Sequence, residues 1–494
     1  MVCVKIDGHD FKYQVEDIIK LFYSEEISYI ETEPPETIRG IFILSRINEL
    51  SGCVMLKTEL WVDGTLYDYK EELLKGEMAE AENDYDRKKI LKRQVKRQIY
   101  LILSGYTGYM LPWGILTGIR PAKIVYELIR KGQRKEEIIK KLEEYYMLSA
   151  KKAGLLYDVA AAEYDILNKT RPETVSLYVG IPFCPSRCLY CSFTSEPVSK
   201  YAPLIDKYIK TLKTETEYLA ALIRDKGLAV QSIYIGGGTP TSIGARELEM
   251  LLGMLEDKLN MDFLEEYTLE AGRPDSIDDA KLSVIKGSRV DRISINPQTM
   301  NDTVLETIGR SHNSRDVERA FYAARDMGFD NINMDIIVGL PGETADMFRE
   351  SLERIRVLGP ESLTVHTMAV KRGSRLCTDA PRFEMISENE ASGMVDMAGE
   401  YAGAMGMRPY YLYRQKNMLG NLENIGYSKQ GCESIYNIQI MEEKQTIIAI
   451  GAGAITKAVF PHENRIERAF NVKNIDEYMS RIDEMIERKR NILE

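Results

Sequence analysis

Cys184, Cys188 and Cys191 lie in one short run, Ile181-Pro-Phe-Cys-Pro-Ser-Arg-Cys-Leu-Tyr-Cys-Ser-Phe193. Spaced C-x3-C-x2-C, three thiolates on one loop can wrap one face of a small cuboidal cluster of iron and sulfide. Such clusters are normally held by four thiolates, so a set of three leaves one iron open. An open iron is a place for chemistry rather than a relay for electrons. Structural zinc is the competing use of clustered cysteines; it closes with four Cys or His ligands, commonly in C-x2-C pairs. No second pair follows, because Cys3, Cys53, Cys377 and Cys432 are isolated in the chain. The spacing favours the cluster and keeps zinc as its alternative.

Elements must hold these thiols in place, and the chain around them changes its pattern. From Val175 to about Val370, apolar strand-like runs alternate with amphipathic stretches. Strands are expected at Ser176–Phe183, Ser232–Gly236, Tyr267–Ala271, Val290–Ile295, Ile332–Val338 and Leu363–Ala369. Helices are expected between them, at Tyr201–Arg224, Glu247–Leu259, Asp278–Lys286, Arg315–Met327 and Ala345–Leu358. Six such units predict an α/β fold, a parallel sheet with helices outside. A doubly wound sheet also fits that count. A partial (β/α)6 barrel is favoured because the candidate motifs fall at successive strand ends, where barrel sites collect.

The flanks differ. Residues 1–172 read as an N-terminal α+β accessory region, with strand-like runs at Ile41–Leu44, Cys53–Leu56 and Leu60–Val62 and a hairpin turn at Asp63-Gly64. Helical patterns follow, and Pro172 marks the boundary. The core then spans 173–372. The βα rhythm is lost over 373–494, read as a smaller C-terminal domain covering the substrate. It holds a hairpin-like Pro409–Tyr413, an apolar run Ile447–Val459 broken by Gly451 and Gly453, and a terminal amphipathic helix at Asp476–Leu493.

Composition narrows the function classes. A chain of 494 residues exceeds one core and calls for two or three domains. No run approaches the roughly 18 continuous apolar residues of a membrane span, and the acidic, polar start does not read as a signal peptide. Seven cysteines, an odd number, do not read as a disulfide framework; a reducing, cytoplasmic location is expected. Net charge −11 makes nucleic acid an unlikely partner. The basic run Arg87–Arg97 is read as the solvated face of a helix whose apolar side carries Leu91, Val95, Ile99 and Ile102, with RNA contact as the minority alternative.

The cysteine loop resembles that of the radical S-adenosylmethionine (SAM) enzymes, and the motifs after it resemble the oxygen-independent coproporphyrinogen III oxidase family among them. The likeness is close over 175–370 and looser over 400–460. It implies a [4Fe–4S] cluster on Cys184, Cys188 and Cys191 whose open iron chelates SAM. Tyr178, six residues before the first cysteine, and Tyr190, inside the loop, would contact the cofactor. Ile235-Gly-Gly-Gly-Thr-Pro-Thr241, with Gly237, Gly238 and Thr239, would let the backbone approach the methionyl group. Glu270 in Leu269-Glu-Ala-Gly-Arg273 and Gln298 in Ser294-Ile-Asn-Pro-Gln298 match SAM contacts. Arg310 in Thr307-Ile-Gly-Arg-Ser-His312 suits the SAM carboxylate. Asp335, a carboxylate inside the apolar Asn333-Met-Asp-Ile-Ile-Val-Gly-Leu-Pro-Gly342, suits ribose hydroxyls. Ala369 aligns with a small residue near the adenine, and Ile455 with a contact from the second domain.

The same resemblance implies an oxidoreductase of porphyrin and haem biosynthesis, which turns two propionates of coproporphyrinogen III into vinyl groups and gives protoporphyrinogen IX. Its partners would be that tetrapyrrole and a low-potential electron donor. Four propionates call for cations, and Lys371, Arg372 and Arg375, with Arg414 and Lys416 from the C-terminal domain, are the candidates. Two departures stand out: Gly180 where the family usually has His, and Phe193 where it often has a fourth cysteine. Members lacking that cysteine include haem-binding chaperones, and this is the alternative reading.

Overall fold

Asp63 and Gly64 both take positive φ, 49° and 78°, the pair of angles a two-residue hairpin turn needs. In the computed structural model, which describes residues 1–494 apart from 24, 32–38, 51–52, 76–77, 79–80, 82, 194, 372, 380–382, 384, 416–417 and 464, this turn joins two long strands. The chain divides into two compact units, Met1–Tyr157 and Asp158–Glu494, with the boundary inside the helix Ala150–Leu167.

The first unit holds β1 (Val2–Asp7), β2 (Ile27–Tyr29), β3 (Ile41–Leu50), β4 (Cys53–Val62) and β5 (Thr65–Leu74), in the order β2-β1-β3-β4-β5. The runs Cys53–Leu56 and Leu60–Val62 are one strand, β4, because period-two burial continues through the polar residues between them. Thr58, buried in that stretch, donates to Gln98 Oε1 at 3.0 Å. Gln98 belongs to the helix Asp84–Thr107, whose Leu91, Val95, Ile99 and Leu103 enter the core of this unit. On its outer face Arg87 pairs with Glu49 at 2.8 Å.

In the second unit the six expected strands are β6 (Thr174–Ile181), then, after the two-residue β7 (Phe183–Cys184) and β8 (Glu196–Pro197), β9 (Ala229–Gly237), β10 (Glu266–Gly272), β11 (Arg292–Ile295), β12 (Ile332–Val338) and β13 (Ser362–Thr367). All six pair in parallel in chain order. Residues 373–494 do not stand apart from this sheet: they lengthen it at both edges. Beyond β13 lie β15 (Asn424–Ser428) and β14 (Arg408–Tyr413), antiparallel; beside β6 lies β16 (Thr446–Ile450), parallel, followed by β17 (Ile455–Phe460) and β18 (Arg465–Phe470). Among the described residues the sheet therefore has eleven strands.

Polar pins fix the late strands to the early ones. Ser176 on β6 donates to Gln445 Oε1 at 2.5 Å across 269 residues of sequence. Glu215, in the helix Ile205–Asp225, is fully buried with Lys489, their charged groups 2.5 Å apart. The same carboxylate accepts from Gly451 N (2.9 Å), Asn471 Nδ2 (2.9 Å) and Tyr478 OH (2.5 Å). The expected terminal helix is two, Ile475–Ser480 and Ile482–Leu493, broken at Arg481 (φ −119°). The break brings both Tyr478 and Lys489 to Glu215. Gly451 closes the turn after β16 at φ +100°, and a Cβ there would stand 2.4 Å from Gly180 O on β6. Only glycine fits that contact.

Candidate active site

The cysteine loop leaves the end of β6 and is tied down along its length. Its base is clamped by the pairing of β7 with β8. Arg273, buried just past β10, donates to Ser186 O (3.0 Å) and Ser186 Oγ (2.9 Å) while gripping Asp275 in two-pronged fashion at 2.9 and 2.7 Å. Burial would raise the Asp275 carboxyl, but His312 and Arg273 together hold it well below the usual range. His312 thus has a structural place, 3.4 Å from Asp275. Farther along, Leu189 N donates to Ile308 O at 2.9 Å, and its side chain packs with Val304, Leu340, Met368 and Leu376.

Burial pushes the Cys184 and Cys191 thiols up, a cost that metal coordination removes by deprotonating the sulfur outright. Among the described residues no three His, Cys, Asp or Glu side chains converge as a single-ion site. A cuboidal cluster does not require that, since each thiolate takes its own iron.

The glycine loop after β9 lies directly against the cysteines. Gly238 N donates to Ile181 O (2.8 Å) and Thr239 N to Phe183 O (2.7 Å), and Thr239 Oγ1 lies 3.5 Å from Cys184 Sγ. A Cβ on Gly238 would meet Phe183 O at 2.5 Å and Cys184 Sγ at 3.0 Å; one on Gly237, at φ +112°, would stand 3.3 Å from Tyr178 OH. The two loops can touch only because these positions lack side chains.

Around this junction the next strand ends deliver polar groups. Tyr234 OH donates to Glu270 Oε1. Burial, opposed by that bond, pushes Glu270 up to about 7. The Tyr234 ring stacks on Tyr436 at 4.6 Å, and Tyr178 stacks near both, at 6.4 and 6.1 Å. Gln298 has φ +69°, rare for a residue with a side chain. It is held there because its N donates to Asp335 O (2.9 Å) and its O accepts from Ile337 N (3.0 Å). Arg310 donates to Asn296 O (2.6 Å) and Tyr190 OH (3.2 Å). Burial would raise Asp335, but His366, 3.6 Å away, and Asn333, at 2.7 Å, bring it below its ordinary value. Among the described residues, Gln298 Oε1 and Arg310 Nε are buried without a hydrogen-bond partner. Unsatisfied buried polar atoms call for a ligand or water, and a zwitterionic, hydroxyl-bearing molecule fits the set. Three thiols beside a glycine cradle fit a cluster.

The remaining expected positions separate into two groups. Ala369 bridges to Met418 just past β13, and Ile455 opens β17, exposed, at the end where β16 turns. Arg375 is exposed and donates to Arg187 O at 2.8 Å. Lys371 lies beside Cys191. Arg414 is not a surface cation: it is 2% exposed and donates to Asn421 O (2.6 Å) and Leu422 O (3.5 Å). Burial lowers its guanidinium to about 10. It staples its own loop, and its assignment to substrate propionates is withdrawn. Arg372 and Lys416 lie outside the described residues.

Sequence reasoning missed Tyr234, Tyr436, His366 and Arg273. Tyr234 was within reach, because it shares a face of β9 with Gly236, two residues on. The others act across long sequence separations.

Comparison with known proteins places this geometry. The radical SAM superfamily matches residues 178–355. The oxygen-independent coproporphyrinogen-III oxidase-like protein HemZ of Bacillus subtilis (strain 168) is 38% identical over 99% of this chain and 98% of its own length. Heme chaperone HemW of the same organism is 30% identical over 56% of this chain and 70% of its own. Among solved structures, coproporphyrinogen III oxidase (HemN) from Escherichia coli, a radical SAM enzyme, gives a TM-score of 0.50 at 20% identity, covering 66% of this chain and 73% of that one. The α/β fold is that of the radical SAM proteins.

Proposed function

Because this chain belongs to the oxygen-independent coproporphyrinogen-III oxidase-like family of radical SAM proteins, we propose that it oxidatively decarboxylates propionate side chains of coproporphyrinogen III to vinyl groups, giving protoporphyrinogen IX. Family membership implies a [4Fe–4S] cluster and SAM. Cys184, Cys188 and Cys191 would hold three irons of the cluster. When bound, cluster and SAM would supply the one-electron chemistry that oxidation of a propionate side chain requires.

The protein's own groups divide the remaining work. Arg310 offers a guanidinium fork to a carboxylate. Glu270, steadied by Tyr234, would accept from an ammonium. Asp335, held ionised by His366 and Asn333, accepts from ribose hydroxyls. The stacked Tyr178, Tyr234 and Tyr436 fill the space around them and exclude water. The observation that carries this reading is the contact of the glycine loop with Cys184, next to buried polar atoms lacking partners.

A second reading, a haem chaperone, draws support from Gly180, Phe193 and the HemW relative. Anaerobic incubation of the reconstituted protein with coproporphyrinogen III, SAM and reductant, followed by mass spectrometry, separates the two. Stepwise loss of carboxyl groups with vinyl formation supports the enzyme. Haem binding with unchanged coproporphyrinogen supports the chaperone.

Alanine at Arg310 or Asp335 is expected to weaken SAM binding. One charged hydrogen bond contributes about 1.5–3 kcal/mol, roughly tenfold to a hundredfold in affinity. Equilibrium binding to cluster-loaded variants checks this; wild-type affinity with full iron content would remove that residue from the site.

A further inference from the structure

The outer side of the cysteine loop carries an arrangement that the proposed chemistry leaves unused. Phe193, two residues past Cys191, is 67% exposed. Lys371 Nζ lies 5.9 Å from its ring centroid. The segment after β13 is laced to the loop: Arg187 donates to Gly373 O (2.7 Å), Arg375 to Arg187 O (2.8 Å), and Leu376 N to Leu189 O (2.9 Å). Arg187 and Arg375 are both exposed.

The charge here runs against that of the whole chain. Residues 181–195 and 370–379 contain Arg187, Lys371, Arg372 and Arg375 against one acid, Asp379, in a protein of net charge −11. Of the nearest acids, Glu196 is paired with Lys200 at 3.3 Å and Asp275 is held by Arg273. Glu306 is exposed on the neighbouring helix Asp302–Thr307. An exposed aromatic with Lys371 beside its ring, next to loops that expose Arg187 and Arg375, suits a partner with an acidic rim, because complementary charge steers encounter and a central aromatic carries much of the affinity.

We propose that Phe193, Lys371, Arg187 and Arg375 form the docking surface for a small acidic protein that carries single electrons. This rests on the proposed cluster at Cys184, Cys188 and Cys191. The carrier loses one electron and the cluster gains it, with no atom transferred. Position 193 thereby acquires a use that a cysteine there would not serve.

The test uses the full chain, anaerobically loaded with cluster, and an acidic flavodoxin as probe. Saturable binding is expected at low ionic strength and its loss at about 0.3 M salt, where charges are screened within a few ångströms. Phe193→Ala is expected to weaken binding at least tenfold and to slow cluster reduction by flavodoxin hydroquinone in stopped-flow absorbance. Iron content, SAM affinity and reduction by dithionite should match the wild type. Absence of saturable binding, or unchanged affinity in the Phe193→Ala variant, overturns the proposal while a loaded, SAM-binding protein leaves the active-site reading intact. Failure to load iron in the wild type would instead strike that reading. If the variant loses coproporphyrin affinity and keeps flavodoxin affinity, the surface belongs to the tetrapyrrole and the proposal fails.

Discussion

Alanine in place of Cys188 should strip most iron and sulfide from the anaerobically reconstituted protein and abolish SAM cleavage. Three thiolates are already one short of the usual four, so removing one leaves two ligands on a loop built for three. Cys188 is the buried member of the trio and lies near Arg310. Cys377→Ala, at an exposed position away from the trio in sequence, should retain full iron and serves as the control. Iron and sulfide assays with visible absorbance read the outcome. Stoichiometric zinc without sulfide in the anaerobically purified wild type would falsify the cluster and restore the zinc alternative.

The second large effect lies far from the thiols, at the Glu215–Lys489 pair. Lys489→Met removes the cation from a fully buried carboxylate. Breaking a buried pair on one side typically costs about 3–5 kcal/mol, because the remaining charge stays uncompensated. Hydrogen bonds from Gly451, Asn471 and Tyr478 persist, which places the expected loss near the lower end, about 3 kcal/mol. Replacing both partners, Glu215→Gln with Lys489→Met, should recover much of it. Denaturant midpoints of the three proteins measure this, and a single variant within about 1 kcal/mol of wild type would show that the hydrogen bonds alone satisfy Glu215.

The six parallel strands were legible because strands buried on both faces read as unbroken apolar runs. Ile332–Val338 and the helix Ala345–Leu358 coincide with their expected limits, and the motif residues at those strand ends were visible as polar or glycine interruptions. What escaped notice was whatever is decided by distant chain. Thr446–Ile450 looks like any short apolar run, and nothing local says that it pairs in parallel with β6. Arg414 reads as a surface cation after Tyr413; its pocket of carbonyls exists only once the turn at 419–422 folds back on it. The kink at Arg481 likewise belongs with distant chain, since Tyr478 and Lys489 on its two sides both reach Glu215 in another helix.

The placement of β16 beside β6 also bears on the order in which the molecule can be built. During synthesis β6 gains its neighbour β9 early, but its other edge stays bare until Thr446–Ile450 has been made. Contacts of such long sequence separation form slowly, and an open strand edge invites pairing with another chain. The strand that leads into the first cysteine is therefore among the last parts of the sheet to be covered. A polypeptide interrupted before Thr446 offers that strand to its neighbours, so translation that stalls late is more hazardous for this protein than its early, self-contained first unit would suggest.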